Sequence, residues 1–181
     1  SATACDSYLW NGTTYTSSGS YTYVTTNSVG CDSTATLNLT INLSTTSTTS
    51  ATACDTYTWN GTTYTSSGSY TYLTTNSNGC DSTTTLNLTI SITPSVSLIP
   101  SGPIAICNGL SATLSSSVTN ANYTYEWSDA NGVISGATGT TYSISSAGTY
   151  SLTITTPSGC SSTSNSVVVN IVSVSTPSAL S

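Results

Sequence analysis

Six cysteines are the residues of this 181-residue chain whose type and spacing point to a definite chemistry. A zinc site is disfavoured because the chain has no Cys-x-x-Cys spacing and no histidine. Six cysteines allow many pairings, and the simplest scheme predicts one disulfide within each segment of the chain. Disulfides persist in oxidising surroundings, so this scheme predicts an extracellular or cell-surface protein. The predicted pairs are Cys5 with Cys31, Cys54 with Cys80, and Cys107 with Cys160.

Four aspartates directly follow cysteines: Asp6, Asp32, Asp55 and Asp81. We expect Asp6 and Asp32 to lie at one end of their segment, within reach of each other, where Ca²⁺ could stiffen the chain. The alternative is that each aspartate caps a turn through its own backbone. Two carboxylates supply too few oxygens for Ca²⁺, and no Asp-x-Asp cluster is present. Turn capping is therefore favoured, and no other cofactor is expected.

Catalysis has few residues to use, because the chain has no Lys, Arg or His and a net charge of −6. No Ser-His-Asp or Cys-His constellation can be assembled. A two-carboxylate glycosidase needs only Asp or Glu, but duplicated carboxylates beside cysteines argue against that mechanism. We therefore predict that the chain is not an enzyme. Without cations it also cannot neutralise phosphates or anionic lipid, which excludes nucleic-acid and membrane-surface roles.

The cysteines and aspartates lie in a repeat, since residues 1–41 recur as residues 50–90 with five substitutions. Self-similarity at a fixed period is typical of arrays of stacked units. A unit of about 40 residues buries too little surface to fold securely without disulfides or neighbours. We expect β-repeats at 1–43 and 51–93, joined by a Ser/Thr linker at 44–50 whose β-branched residues favour extended backbone.

Turn signals and alternation within each repeat predict a four-stranded antiparallel module. Asn11-Gly12 lies between β-forming residues and predicts a type I′ hairpin, because both central residues of that turn need positive φ. Leucine and isoleucine alternate with polar residues over 36–43, which predicts a last strand with one apolar face.

Aromatic residues in each repeat have two interpretations. Tyr8 and Trp10, with their copies Tyr57 and Trp59, could stack on sugars as in a carbohydrate-binding module. A small module without Phe or Met has little else for its core, and buried Tyr and Trp can still reach a hydrogen-bond partner. Packing within or between repeats is therefore favoured over a glycan site.

After Pro94 the pattern changes to that of a β-sandwich over 95–172, followed by a linker or tail over 173–181. Tyr125 and Trp127 share a face, as expected of a central core strand. No apolar run is long enough to span a bilayer, and there is no signal peptide, so we expect a mature piece of a longer protein. Short β-forming runs separated by Gly, Asn and Ser predict strands near 112–114, 123–127, 141–144, 148–154 and 166–171.

The repeat motif Cys-Asp-Ser-Tyr-x-Trp-Asn-Gly-Thr-Thr-Tyr begins at Cys5, and Asn-Gly-Cys-Asp-Ser-Thr occupies 78–83. Both resemble repeats of very large secreted Bacteroidota proteins that look like gliding or adhesion surface proteins exported by type IX secretion. Three motifs of the C-terminal segment resemble the Ig-like or PKD-like modules of those proteins. They are Tyr-Thr-Tyr-Glu-Trp at 123–127, Ser-Ala-Gly-Thr-Tyr at 146–150 and Ser-Gly-Cys at 158–160.

The resemblance implies an Ig-like sandwich rather than a PKD module, because residues 126–129 lack the fuller acidic motif of PKD domains. It places Leu114 and Leu152 at the usual positions of the core Ig disulfide. A bridge between Cys107 and Cys160 would then clamp one end of the sandwich.

The Asp-Ser-Thr motifs at 32–34 and 81–83 look like the O-glycan acceptor motif of Bacteroidota, which implies glycosylation of Ser33 and Ser82. The combined prediction is an all-β protein with two short disulfide-stapled antiparallel β-repeats and an Ig-like sandwich, arranged as an extended rod. Its predicted role is structural, as the stalk or filament segment of a bacterial surface adhesin. The expected partners are neighbouring repeats, other copies in a fibre or surface glycans, and the alternative function is a carbohydrate-binding adhesin module.

Overall fold

The structure is a computed structural model that describes residues 1–173, and the regular secondary structure in that range is entirely β-strand. The predicted all-β fold class is confirmed. The linker or tail expected at 173–181 lies outside the described residues except for Ser173. Within 1–173, no helix is long and apolar enough to cross a membrane.

The chain forms two compact units. The first contains Ser1–Ala51, Thr58–Thr62 and Ser66–Thr89. The second contains Thr52–Tyr57, Thr63–Thr65 and the chain from Ile90 onward. The contacts therefore group the start of repeat two with the C-terminal sandwich and the remainder of repeat two mostly with repeat one.

Repeat one has five strands: β1 (Ala2–Cys5), β2 (Tyr8–Trp10), β3 (Thr13–Tyr15), β4 (Gly19–Thr26) and β5 (Asp32–Asn42). Strands β1, β5 and β4 form a sheet in that order, while among the described strands β2 pairs with β3 alone. β5 is antiparallel to β4 but parallel to β1. The prediction of a four-stranded, entirely antiparallel module is therefore wrong, because the repeat has five strands and one of its pairs is parallel. The first residues of the repeat form a strand of their own, which pairs in parallel with the last strand.

The β2–β3 hairpin is a type I′ turn, as the sequence predicts. Asn11 and Gly12 have φ of 48° and 79°, and Trp10 lies opposite Thr13. Positive φ at both central residues gives the turn the twist that matches its flanking strands.

The hairpin covers the apolar face of the three-stranded sheet. Leu37 of β5 is buried and lies opposite Tyr21 of β4. The Tyr15 ring of the hairpin packs on Tyr21 with centroids 4.0 Å apart, and the Trp10 ring meets Tyr23 edge-on at 6.2 Å. The hairpin thus takes the place that a second sheet has in a sandwich.

Repeat two has the corresponding strands β6 (Thr45–Cys54), β7 (Tyr57–Trp59), β8 (Thr62–Tyr64), β9 (Gly68–Thr75) and β10 (Asp81–Ser91). Its sheet has the order β6-β10-β9, and β7 pairs with β8. β6 has 10 residues whereas β1 has 4. Most of the segment 44–50, expected to be a linker, is therefore the first part of a sheet strand. The Ser47 hydroxyl in this part donates to the Thr84 hydroxyl of β10 at 3.0 Å.

The C-terminal segment is an Ig-like sandwich of two sheets. One sheet has the order β11-β13-β16, and the other has the order β12-β19-β17-β14-β15, with β18 also paired to β17. The five strands expected from the sequence are β13, β14, β16, β17 and β19. The strands are β11 (Leu98–Ile99), β12 (Ile104–Cys107), β13 (Ala112–Ser116), β14 (Thr124–Asp129), β15 (Gly132–Val133), β16 (Thr141–Ile144), β17 (Gly148–Thr155), β18 (Ser161–Thr163) and β19 (Val167–Val172).

The sandwich core lies between these two sheets. Leu114 of β13 comes from one sheet, and Trp127 and Leu152 come from the other; all three are fully buried in one cluster. The Trp127 indole N–H donates to the Gly139 carbonyl at 2.8 Å, so the buried ring keeps a hydrogen-bond partner. Leu114 and Leu152 thus fill the core between the sheets, and their placement at the positions of the core Ig disulfide stays a prediction.

One arrangement of three strands recurs in repeat one and in the sandwich: an early strand, which we call the first strand of the arrangement, is parallel to the last strand of the segment, and that last strand pairs on its other side with an antiparallel strand. In repeat one these strands are β1, β5 and β4, and in the sandwich they are β12, β19 and β17. Cys5 ends the first strand opposite Asn42, and Cys107 ends the first strand opposite Val172. We call this arrangement the three-strand frame.

Candidate functional site

The described residues contain two disulfides, and each joins a cysteine of one segment to a cysteine of the next. The predicted pairing within segments is therefore wrong, and so is the clamp between Cys107 and Cys160. Cys31 and Cys107 are free and exposed. The two bridges are Cys5–Cys80 and Cys54–Cys160, with Cα–Cα distances of 5.5 Å and 5.7 Å.

The strand register explains why Cys5 and Cys31 do not pair. Cys5 lies opposite Asn42, the last residue of β5, whereas Cys31 directly precedes the first residue of β5. A strand of 11 residues spans roughly 33 Å, while a disulfide needs Cα atoms about 4.4–6.8 Å apart. Cys5 can thus pair only with a cysteine of another segment.

The second cysteine of each segment closes a tight turn. In repeat two the Asn76 N–H donates to the Cys80 carbonyl at 2.8 Å, and the Asn76 Oδ1 accepts the Cys80 N–H at 3.1 Å. Thr156 makes the same two bonds to Cys160 through its N–H and its Oγ1, at 2.8 Å and 3.1 Å. Both bonded turn cysteines are buried, each with 1% of its surface exposed.

Asn76 also joins its turn to repeat one, because its Nδ2 donates to the Leu43 carbonyl at 2.9 Å. Asn27 closes the corresponding turn of repeat one with the same backbone and Oδ1 bonds to Cys31. Over residues 1–173, however, the Nδ2 of Asn27 has no partner, and Cys31 is exposed. The turn is covered in repeat two but open in repeat one.

Hydrogen bonds of Asp6 join the end of β1 to the end of β5 and to the residues that follow it. Its N–H donates to the Asn42 carbonyl at 2.8 Å, and its carboxylate accepts the Ser44 hydroxyl at 2.6 Å and the Ser44 N–H at 2.8 Å. Both hydrogen bonds favour the charged form of the Asp6 carboxyl and so lower its pKa, and the bond from the Ser44 hydroxyl has the larger effect. Hydrogen bonds from Thr93 lower the pKa of Asp55 in the same way.

These contacts give Asp6 and Asp55 a capping role. Asp32 and Asp81 instead begin β5 and β10, so Asp6 and Asp32 lie at opposite ends of β5. The expectation that they lie at one end and could share Ca²⁺ is wrong. In the described part of the chain, no group of three or more His, Cys, Asp or Glu is placed to hold a metal ion.

The aromatic residues considered for sugar stacking, Tyr8, Trp10, Tyr57 and Trp59, are all half-buried. The Trp10 ring contacts Tyr15 and Tyr23 at centroid distances of 6.3 Å and 6.2 Å. In repeat two the Trp59 ring meets Tyr72 edge-on at 6.0 Å. These contacts fit the packing interpretation, and sugar stacking at these residues stays a prediction.

The two predicted O-glycan acceptors differ in accessibility. Ser33 in β5 is exposed, whereas Ser82 in β10 is half-buried. Glycosylation at both residues stays a prediction, and Ser33 is the more accessible acceptor.

An open cleft of about 440 Å³ lies on the sandwich. Polar groups at its wall already bond to one another: the Asn120 N–H donates to the Tyr125 hydroxyl at 2.7 Å, which donates to the Asn120 carbonyl at 3.1 Å. Part of the polar wall is therefore already hydrogen-bonded within the protein. It is lined by Thr119, Asn120, Ala121, Tyr123, Tyr125, Thr138, Gly139 and Thr140.

Sequence reasoning missed a motif that the three segments share, Ser-x-Gly-x-Tyr, at 17–21, 66–70 and 146–150. In each copy the tyrosine hydroxyl donates to the carbonyl of the serine four residues earlier. The donors are Tyr21 at 2.8 Å, Tyr70 at 2.8 Å and Tyr150 at 3.2 Å. Tyr150 precedes Leu152 by two residues, which is the position of the tyrosine corner in Ig domains. The shared spacing in the sequence was the signal that could have revealed it.

No protein-family model matches this sequence, and no curated protein shows significant sequence similarity to it. Among solved structures, the chain is similar to the N-terminal four Ig domains of Dscam1 isoform 6.9, with 15% identity and a TM-score of 0.40 over 84% of this chain and 54% of that chain. The chain therefore spans about half the length of that structure.

Two further solved structures are similar to the chain. Extracellular domains 3–5 of Drosophila OTK have 16% identity and a TM-score of 0.45 over 92% of this chain and 78% of that chain. Murine CEACAM1b has 16% identity and a TM-score of 0.36 over 65% of this chain and 68% of that chain. None of these comparisons bears on the resemblance to Bacteroidota repeats, which stays a prediction.

Proposed function

We propose that this chain is a load-bearing stalk segment of an extracellular adhesion-type protein. The observation that carries the proposal is the staggered pairing of cysteines. In each bridge, the cysteine that ends the first strand of one segment bonds to the turn cysteine of the next segment, in Cys5–Cys80 and in Cys54–Cys160. Consecutive segments are thereby linked by a covalent bond in addition to the polypeptide.

The disulfides support an extracellular or cell-surface location, because such bonds form and persist in oxidising compartments. The composition suits a location where proteases are present, because a chain without Lys or Arg offers no trypsin-type cleavage site. Both properties suit a surface structure that must survive outside the cell.

Hydrogen bonds support a fixed geometry between repeat one and repeat two, as a stiff stalk requires. Asn76 of repeat two binds the Leu43 carbonyl at 2.9 Å, and Ser47, just after repeat one, binds Thr84 at 3.0 Å. The segment 44–50 is thus held in a sheet instead of acting as a free hinge. We infer that the repeats add length to an extended rod.

The two bridges overlap along the chain, which changes how the protein responds to tension. A pulling force applied at the termini passes from Cys5 to Cys80, then along the chain to Cys54, and from there to Cys160. Only the roughly 26 residues between Cys54 and Cys80 can then unravel, which is about 90 Å of extended chain. Without bridges, the whole chain from Cys5 to Cys160 would unravel to about 530 Å.

Single-molecule force spectroscopy on the oxidised protein tests the proposal. In the oxidised protein we expect the fully extended length between Cys5 and Cys160 to be about 90 Å. This length should rise to about 270 Å in the double variant Cys54→Ser, Cys160→Ser and to about 530 Å after reduction of both bridges. Bridges within segments would instead release about 170 Å in the oxidised protein. That result, or equal extension before and after reduction, would refute the load-bearing role.

A further inference from the structure

We propose that the two free cysteines form the next bridge of the same series between two copies of this chain, with Cys107 of one copy bonded to Cys31 of the next. The inference rests on the proposed function, because it extends the staggered pairing to a second copy.

Each free cysteine matches a cysteine that is bonded within the chain. Cys107 ends β12 opposite Val172, as Cys5 ends β1 opposite Asn42 in the same three-strand frame. Cys31 closes the turn that Cys80 closes in repeat two, with the same hydrogen bonds to an asparagine. The chain therefore carries one unused first-strand cysteine and one unused turn cysteine, which are the two types that pair in both existing bridges.

The surface beside Cys31 supports a docked neighbour independently of the thiols. In repeat two the corresponding surface is covered: residues 82–85 are half-buried, and Asn76 Nδ2 binds the Leu43 carbonyl. In repeat one residues 33–36 are exposed, and the described chain offers Asn27 Nδ2 no partner. Residues 32–36 and 81–85 differ only at position 35, so repeat one presents nearly the same docking surface without its occupant.

The frame also identifies the group that would bind Asn27. Leu43 follows Asn42, which lies opposite Cys5; Ser173 follows Val172, which lies opposite Cys107. The Ser173 carbonyl of one copy is thus equivalent to the Leu43 carbonyl. We expect it to accept the Asn27 Nδ2 hydrogen bond of the next copy.

Bond formation needs an oxidant, for which a low-molecular-weight disulfide suffices. The Cys31 thiolate attacks this disulfide, forms a mixed disulfide and releases one small thiolate. The Cys107 thiolate of the second copy then attacks the Cys31 sulfur, forms the new bond and releases the second small thiolate. The two cysteines each lose a proton to solvent, and their two electrons reduce the small disulfide to two thiols.

The experiment mixes equal amounts of Cys31→Ser and Cys107→Ser protein with oxidised glutathione. We expect mixed dimers well above the half that random pairing gives, and chymotryptic peptides that contain the Cys107–Cys31 bond. The wild-type chain should form a ladder of covalent oligomers under the same conditions. Random proportions, a predominance of like dimers, or a bridge within one wild-type chain would overturn the inference.

Asn27→Thr is the matched variant for docking. Threonine keeps an oxygen acceptor for the Cys31 N–H, as Thr156 does for Cys160, but it lacks the Nδ2 donor for the Ser173 carbonyl and adds no charge beside the thiol. We expect mixed dimers to form several-fold more slowly with Asn27→Thr in the Cys107→Ser partner, while the Cys31 thiol reacts with a small aromatic disulfide reagent at an unchanged rate. An unchanged rate of dimer formation would overturn the docking geometry. If oxidised single molecules still extend by only about 90 Å but two copies form no Cys107–Cys31 disulfide, the assembly inference fails while the load-bearing role stands.

Discussion

Single carboxylates hold the ends of the first strands in this protein. Asp6 has a φ of 59°, and its carboxylate accepts two hydrogen bonds from Ser44. Those bonds place the folded-state pKa of Asp6 below its unfolded value of about 3.9. The stabilisation is therefore complete above the unfolded pKa, and it is lost as the pH falls through the folded-state pKa.

The variant Asp6→Asn tests this predicted dependence of stability on pH. Asparagine tolerates positive φ, so the variant removes the charge with little change in backbone preference. We expect a lower thermal midpoint than wild type at pH 7 and a difference that shrinks as the pH falls below about 4. Thermal unfolding between pH 2 and pH 7 measures this. Asp32→Asn is the control, because the Asp32 side chain makes no hydrogen bond within residues 1–173. A difference from wild type that is constant over pH would contradict the capping role of the charge.

The glycine of each Ser-x-Gly-x-Tyr motif lies against the tyrosine ring, so that an added Cβ would meet the ring at 3.2–3.3 Å. A Cβ at Gly148 would lie 3.3 Å from the ring of Tyr150, which is only 4% exposed and cannot easily move. We expect Gly148→Ala to lower the free energy of unfolding by about 1–3 kcal/mol through overpacking. Gly19→Ala should cost less, because the ring of Tyr21 is only half-buried.

Urea denaturation measures both glycine variants. Gly102→Ala is the matched control, since a Cβ there meets no atom within 4 Å. Full stability of Gly148→Ala would show that the close approach between glycine and ring does not constrain the motif.

At the scale of elements, the β2–β3 hairpin supplies the aromatic cover of repeat one. Trp10 contacts Tyr15 and Tyr23, and it is half-buried. We expect Trp10→Ala to lower the free energy of unfolding by about 2 kcal/mol, less than the loss of a fully buried tryptophan. Leu9→Thr is the control: Leu9 is 68% exposed, and repeat two has Thr58 at that position. If both variants unfold in urea like wild type, the hairpin does not stabilise the repeat.

Local patterns predicted the elements of the fold better than their pairing. The Asn11-Gly12 turn and the alternation along β5 are short-range signals, because each is set by the φ preferences or the period of neighbouring residues. The parallel pairing of β1 with β5 joins residues far apart in sequence and leaves no such signal. That one pair places Cys5 at the far end of β5 from Cys31, so missing it also gave the wrong disulfides and the wrong position of Asp6.

In the sandwich, too, strands were easier to predict from the sequence than their pairing. Five strands were predicted from β-forming runs and turn residues, whereas β12, which carries the free Cys107, was missed. Its pairing with β19 is again parallel and distant in sequence. The three-strand frame, and with it the order in which cysteines meet, therefore had to come from the structure.

Across the whole molecule, the two bridges constrain different units. Cys5–Cys80 lies within the first unit and Cys54–Cys160 within the second. Their sequence separations are 75 and 106 residues. The loop-entropy relation then assigns each bridge about 4.5 kcal/mol when considered alone, more than the roughly 3.5 kcal/mol of a bridge within a repeat.

We expect removal of one bridge to destabilise one unit selectively. In the double variant Cys5→Ser, Cys80→Ser the first unit loses its bridge and should unfold at a lower temperature, because its small sheets and half-buried aromatic residues provide little core. The second unit should keep its transition, since its buried cluster around Trp127 is unchanged. Differential scanning calorimetry should resolve two transitions in this variant, and the variant Cys54→Ser, Cys160→Ser serves as the reciprocal control. One transition that shifts equally in both variants would mean that the molecule unfolds as a single cooperative body, and that the bridges stabilise the stalk jointly instead of unit by unit.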